Sequence, residues 1–489
     1  MAFSDLSDQL DPRASEPLAL QLARLLAAEI SRGRLAPGEA LPGSRALAQS
    51  LGLSRHVVMS ALWELEMEGW TASRHGSGTY VADVLPATFP ASWGTRPAPQ
   101  AAPENPPFEL SSQLRPVSTL ASGMLDLSEG YPDARLAPRE ALARGYQRAL
   151  QRHGDDLLGK GEPRGNQMLR EQLAIHLRKW RGLTIQADNL LITRGIPMSL
   201  ALLTQALGKG DFAMEDPGDP LVREALDLPG ARLHPLPVDH EGLCPEALAA
   251  LAQERSLAFV HLTPRRQVPT TVPLSPVRRE QLAGLAQTHG FALVEEDTDA
   301  ELTFLGEPSQ PMAAAFPEGH VIHLGSLSQL LAPGLCLAYL VAPAGLVDRL
   351  ARLRQRMDTQ GDRVLEWAMA DLIRDGDLER HLARTRKVLK QRREVLEQCV
   401  GEFLGPDFRL RASDGGQACW METPPDLDLG AWAEACHRGG VKFHPPAARS
   451  GGLGPSGIRL GFAHLDPSEI RAALETMGRA LGPRGGTCV

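Results

Sequence analysis

The chain is poor in cysteine, and what it has is not arranged for metal or disulfide chemistry. Cys244, Cys336, Cys399, Cys419, Cys436 and Cys488 lie scattered over 489 residues, with no CxxC pair and no histidine at ligand spacing. No metal site is expected, and the thiols fit a reducing compartment. Long apolar runs are also missing: nothing approaches the roughly 20 unbroken apolar residues of a membrane span. The opening MAFSDLSDQLDPR has no basic segment leading into an apolar one, so no secretory signal is expected. A cytoplasmic protein with no membrane partner follows as the expectation. An excess of positive charge is absent as well, with 51 Lys and Arg against 59 Asp and Glu, a net −8. Coating of nucleic acid by the whole surface is therefore excluded, and any DNA contact has to come from a local patch.

What is present is enough for more than one core. At 489 residues, 43% apolar and 22% charged, the composition is that of an ordinary globular chain divided into domains. The sharpest break is VLPATFPASWGTRPAPQAAPENPPFEL, residues 84–110, rich in Pro and Ala and without helical or strand period, which reads as a semi-extended linker. It separates a small domain, residues 1–83, from a remainder, residues 111–489, large enough for an α/β fold.

In the small domain, PLALQLARLLAAEISRGRL has the spacing of an amphipathic helix ended by Gly33. SRALAQSLGLSRHVVMSALWELEMEGW then gives two helices around a turn at Gly52, with Ser44 and Ser54 as N-caps. Val58, Ala61, Leu62 and Leu65 follow i, i+3, i+4, i+7, which turns Arg55 and His56 outward. TASRHGSGTYVAD reads as two short strands about a glycine turn. This order predicts a winged helix-turn-helix, whose second helix enters the major groove with its first turn against base edges. Ser54, Arg55 and His56 stand in or just before that turn; Arg45 opens the preceding helix, and Gly76, Ser77 and Gly78 form a turn narrow enough for a minor groove. The first 82 residues carry seven arginines against nine acidic residues, a net −2, which departs from the usual basic footprint of a DNA-binding module.

Beyond the linker, helical stretches such as LREQLAIHLRKW alternate with short apolar runs at 189–193, 257–262, 291–297 and 320–325. That alternation predicts a largely parallel sheet with helices on both faces, over about residues 155–345. A smaller α+β lobe, about residues 346–489, is expected to pack on it.

The stretch GRLAPGEALPGSRALAQSLGLSRHVVMSALWELEMEGWTASRHGSGTYV resembles the winged-helix domain of the GntR regulators, with LPxSRxLA, LGxSRxxV and GSGTxV in order. The remainder resembles the fold-type I aminotransferases in the variant carried by MocR regulators, through LLGKGEPRGNQMLREQLAIHL, AMEDPGDPLVREAL, LTPRRQVPTTVPLSPVRREQLAGLA, VEEDTDAELTFL and IRLGFAHLDPSEI. The resemblance implies a homodimeric transcriptional regulator that binds double-stranded DNA with two half-sites. The runner-up is a pyridoxal-phosphate aminotransferase with an accessory DNA-binding domain.

That family normally holds pyridoxal phosphate, and the resemblance implies which positions would do so here. In SLSQLLAPGLCLAYL, Gln329 takes the place of the Schiff-base lysine, and an amide cannot form an imine. Glu296 stands for the aspartate on the pyridine nitrogen, and Thr298 and Asp219 for two tyrosines about the ring. Cys336 stands for the phosphate-pairing arginine, and Lys160 for a tyrosine reaching the partner subunit's phosphate. Pro197 brings a residue without an N–H to the helix start that would cradle that phosphate. No cofactor and no transamination are expected. Arg459, which in the family binds the substrate carboxylate, is expected with Arg194, Arg265 and Arg266 to make the cleft receptive to a small anionic or amino-acid-like effector.

Overall fold

The computed structural model describes residues 3–12, 14, 16–74, 78–86, 123–208, 210–226, 230–445 and 456–482. It divides into two compact units, residues 1–117 and 118–489. Most of the expected linker, residues 87–110, lies outside the described residues.

In the first unit, α1 (Leu18–Ser31) presents Leu22, Leu26 and Ile30 to a core shared with α2 (Ser44–Leu51), α3 (Arg55–Met67) and a hairpin of β1 (Thr71–Arg74) and β2 (Gly78–Val81). The two strands pair antiparallel, Thr71 opposite Val81 and Arg74 opposite Gly78. Gly52 adopts a left-handed conformation (φ 66°) after α2, a shape that costs glycine nothing and frees the chain to turn into α3. Ser54 caps α3, its hydroxyl accepting the Val57 N–H at 3.3 Å. Ser44, expected to cap α2, is instead its first residue, preceded by Gly43. Its hydroxyl is free of that role and accepts a hydrogen bond from Arg55 Nε at 3.3 Å.

The second unit is built on an eight-stranded sheet in the order Leu190–Thr193, Ala338–Val341, Val321–Ser326, Ala292–Glu296, Leu257–Leu262, Asp211–Asp216, Arg232–Asp239, Gly242–Leu243. The five strands from Val321–Ser326 to Arg232–Asp239 run parallel, and Ala338–Val341 is antiparallel to both neighbours. Successive side chains point to opposite faces, so Phe212 and Met214 join one core with helices Ile196–Ala206 and Ala344–Asp358. Ala213 joins another with helices Pro245–Glu254 and Pro276–His289. Burial on both sides is why these strands read as continuous apolar runs.

The smaller lobe has a three-stranded antiparallel sheet, Arg409–Leu410, Ala418–Glu422 and Gly457–Gly461, backed by the long helix Asp377–Cys399 and by Pro467–Ala480. The strand Leu125–Asp126 pairs with Val441–Lys442, so the unit's first described residues belong to this lobe. No helix among the described residues is long and apolar enough to cross a membrane, and none of their side chains form a cluster suited to a metal ion.

Candidate functional site

Two places carry the residues singled out above, one in each unit. In the first, Arg45, Ser54, Arg55 and His56 are all exposed. The Arg55–Ser44 hydrogen bond links the starts of α2 and α3, two helices held together by their shared core. Of the proposed turn, Gly76 and Ser77 lie outside the described residues, while Gly78 opens β2 with φ 115°. Two of the acidic residues are engaged within the unit. Buried Glu29 pairs with Arg32 and Arg34, each at 2.9 Å. Glu66 accepts from the Ser73 backbone and hydroxyl, at 3.1 and 2.8 Å, and holds the hairpin to α3. None of these carboxylates sits beside the Arg55 turn. On the outer face of α3, away from the buried stripe of Val58, Ala61, Leu62 and Leu65, Met59, Trp63 and Met67 are more than half exposed at i, i+4, i+8.

In the second unit, the carboxyl ends of the parallel strands open on a cavity of about 230 Å³, the usual place for a ligand in an open α/β sheet. Gln329, Glu296, Thr298, Asp219, Cys336, Arg194 and Pro197 all line it. The sheet brings together here, from four separate segments, residues up to 142 positions apart in the chain.

Gln329 sits in the short helix Leu327–Leu330 that leaves strand Val321–Ser326. Its backbone N–H donates to Ser326 Oγ at 3.2 Å, and its carbonyl accepts from Gln417. Its side-chain Oε1 is buried and has no hydrogen-bond partner. No lysine lines the cavity. Cys336 holds a left-handed backbone (φ 47°) and is exposed, its Sγ nearest the Pro333 carbonyl at 3.8 Å. Pro197 lies in the first turn of helix Ile196–Ala206 and removes one of the N–H donors that such a terminus offers an anion.

Glu296 ends strand Ala292–Glu296, with Oε2 3.1 Å from His261 Nε2 on the adjoining parallel strand. Asp219 precedes helix Pro220–Leu226; its Oδ1 accepts the Leu221 N–H at 2.8 Å, and no ion pair neutralises it among the described residues. Burial raises the Asp219 carboxyl above the usual range, and the nearby charge of Glu296 raises it further.

Four of the cations expected about the cleft, Lys160, Arg265, Arg266 and Arg459, are outside this lining. Arg265 is buried against Asp297, Nε to Oδ1 at 3.0 Å, and also donates to Ser309. Arg266 is buried between Asp299 (2.5 Å) and Asp414 (2.9 Å), with Thr303 Oγ1 at 2.9 Å. Neither lines the cavity, so both leave the expected effector set: a guanidinium already bonded on all sides gains nothing by turning to a ligand. Lys160 is exposed and lies outside this lining as well. Arg194 does line the cavity, but its Nε is 2.9 Å from Asp358. Arg459, on strand Gly457–Gly461, is partly buried and outside the lining. Its Nη1 has no hydrogen-bond partner; burial lowers its pKa, while Asp299 and Asp219 supply the nearest opposing charges.

Asp297, between Glu296 and Thr298, is a functional position that no local sequence signal marks. Arg181 and Arg265 both bind this carboxylate. Burial works against its charge, but the two guanidiniums hold it well below the usual range. His261 was also missed; its place on the strand next to Glu296 is visible only once the strands are paired.

The family described as "Bacterial regulatory proteins, gntR family" has a sequence model that matches residues 18–81. The chain is 28% identical over 483 residues to the HTH-type pyridoxine biosynthesis transcriptional regulator PdxR of Corynebacterium glutamicum, covering 98% of this chain and 99% of that protein. It is 28% identical over 477 residues to the probable rhizopine catabolism regulatory protein MocR of Rhizobium meliloti, covering 96% and 95%. Among solved structures, LysN, an α-aminoadipate aminotransferase from Thermus thermophilus, superposes with a TM-score of 0.66 at 26% identity, over 74% of this chain and 92% of that one.

Proposed function

We infer that the chain is a DNA-binding transcriptional regulator of the MocR type, a GntR winged helix followed by a unit with the fold of a fold-type I aminotransferase. The observation that carries this is the end-to-end similarity to named HTH-type regulators, winged helix and aminotransferase-like unit included. The exposed Arg45, Ser54, Arg55 and His56 supply the reading edge, with phosphate contacts setting register. We assign the second unit to dimerisation and to sensing a small effector in the cavity beside Gln329. A two-fold dimer would present two winged helices to two half-sites.

The second unit does not catalyse transamination in this account. The residues about the cavity do not fit pyridoxal phosphate: the lining holds no amine to form an imine, and Gln329 offers a buried acceptor in its place. A phosphate dianion would meet a lining with Asp219 and Glu296 and a single cation, Arg194, already paired with Asp358. Two like charges about 4 Å apart near a protein surface repel by on the order of 4 kcal/mol. Of the arginines expected to meet an effector, Arg459 keeps an unpartnered buried nitrogen, outside the lining of this cavity.

Genome-wide DNA binding of the wild type beside Arg55→Ala tests the regulator reading. A limited set of sites sharing a two-half-site sequence, lost in the variant, is the expected outcome. Enrichment that is absent in the wild type, or unchanged in Arg55→Ala, contradicts it.

A further inference from the structure

The first two turns of α3 present one large apolar side chain among polar ones. Val58, Ala61, Leu62 and Leu65 are buried, and Ser54, Arg55 and His56 are exposed at the helix start. Met59 follows four residues after Arg55 and three after His56, one turn along on the same side of the helix. It is 51% exposed and begins the row continued by Trp63 and Met67. A solvated helix face fills such positions with polar residues, so this row leaves apolar surface to be covered.

Distance along the axis separates the three side chains. At 1.5 Å per residue Met59 lies about 6 Å beyond Arg55, Trp63 about 12 Å and Met67 about 18 Å. The major groove of B-DNA is about 12 Å wide, and a recognition helix meets base edges with its N-terminal residues. Met59 therefore falls within the groove, Trp63 at its rim and Met67 beyond it. Charge divides the chain at the same point. Between Glu39 and Glu64 there are Arg45 and Arg55 and no acidic residue, whereas Glu64, Glu66 and Glu68 flank Trp63 and Met67 and repel phosphates.

A thioether matches few groups on a base edge. It has no hydrogen to donate and its sulfur is a weak acceptor, so the N7 and O6 acceptors of guanine gain nothing from it. The apolar group in the major groove is the 5-methyl of thymine. Packing that methyl on Met59 takes apolar area of both partners out of water. A polar edge in its place would lose water without gaining a hydrogen bond.

We propose that Met59 is a specificity-determining residue of the DNA-reading surface, its side chain packing on the 5-methyl group of one thymine in each half-site. The proposal rests on the regulator reading above and names a base that the reading surface selects.

The test uses the full-length protein and a duplex carrying the shared sequence that genome-wide binding yields. In further duplexes each thymine of one half-site is replaced in turn by deoxyuridine, which pairs in the same way and lacks only the methyl. Fluorescence anisotropy measures wild type, Met59→Ala and Met59→Gln, and circular dichroism melting checks that both variants fold. In the wild type one replacement is expected to weaken binding about fourfold, the worth of returning one methyl group to water. In both variants the same replacement is expected to change nothing, which isolates the contact as a double-mutant cycle does. A half-site without thymine, a wild type indifferent to every replacement, or a penalty that persists in both variants would overturn the proposal. So would a Met59→Ala variant that weakens on all duplexes equally and elutes as a smaller species, since the row would then be covered by protein. A wild type that selects no sequence at all counts against the regulator reading itself, whereas selective binding without methyl dependence counts against Met59 alone.

Discussion

Asp297→Ala is expected to destabilise the second unit by about 3–5 kcal/mol and to lower its unfolding temperature by roughly 5–10 °C, because it leaves two buried guanidiniums without their shared carboxylate. Arg181 and Arg265 both pair with Asp297, and all three side chains are almost wholly buried. Removing the carboxylate takes away the ion-pair partner that the two arginines share and the attraction that offsets the cost of desolvating them. Circular dichroism melting of the full-length protein measures the effect, and a loss below about 1 kcal/mol would mean that water or another acceptor reaches the site. The pH dependence has a definite sign. The folded carboxyl lies below its unfolded value, so its contribution is fully present above the unfolded pKa, near 4, and is lost as pH falls toward the folded one. Asp297→Asn is expected to lack that part of the acid destabilisation.

Arg55→Ala is expected to weaken operator binding by about 1–3 kcal/mol, roughly fivefold to 150-fold. The side chain is exposed at the first turn of α3, with its Nε hydrogen-bonded to Ser44 on α2. Fluorescence anisotropy over a range of salt concentrations separates its two possible roles. A phosphate contact lowers the salt slope by about 1 and weakens all sequences alike. A base contact leaves the slope and relaxes discrimination at one position of the half-site. An unchanged affinity and slope would remove Arg55 from the interface.

Much of this was legible in the sequence because it depends on neighbours along the chain. Ser54 capping α3, the left-handed Gly52 and the 3.6-residue spacing of Val58, Ala61, Leu62 and Leu65 are local, and the winged helix follows from them. The parallel sheet followed from apolar runs alternating with helices. The gathering of Gln329, Glu296, Asp219 and Cys336 about one cavity was legible only through the family resemblance, since periodicity says nothing of which strand ends meet. What failed was pairing at a distance. Arg265 and Arg266 lie in a stretch resembling a cleft motif, TPRRQVPTTVP, and nothing local shows that their partners stand 32 residues away at Asp297 and 148 away at Asp414. The same is true of Arg194 and Asp358, 164 residues apart. Each of these pairs ties up a cation that the expected effector site relied on.

The central claim is that the aminotransferase-like unit serves DNA-binding regulation without the cofactor chemistry of its fold. The absorption spectrum of the purified protein during titration with pyridoxal phosphate tests it most directly, in wild type and in Gln329→Lys. No Schiff-base band is predicted in the wild type. In Gln329→Lys any band should be weak and removed by dialysis, because Asp219, Thr298 and Cys336 still line the cavity and Pro197 still opens its helix. A stoichiometric band in the wild type that survives dialysis and bleaches with an amino-group acceptor or donor would contradict the account.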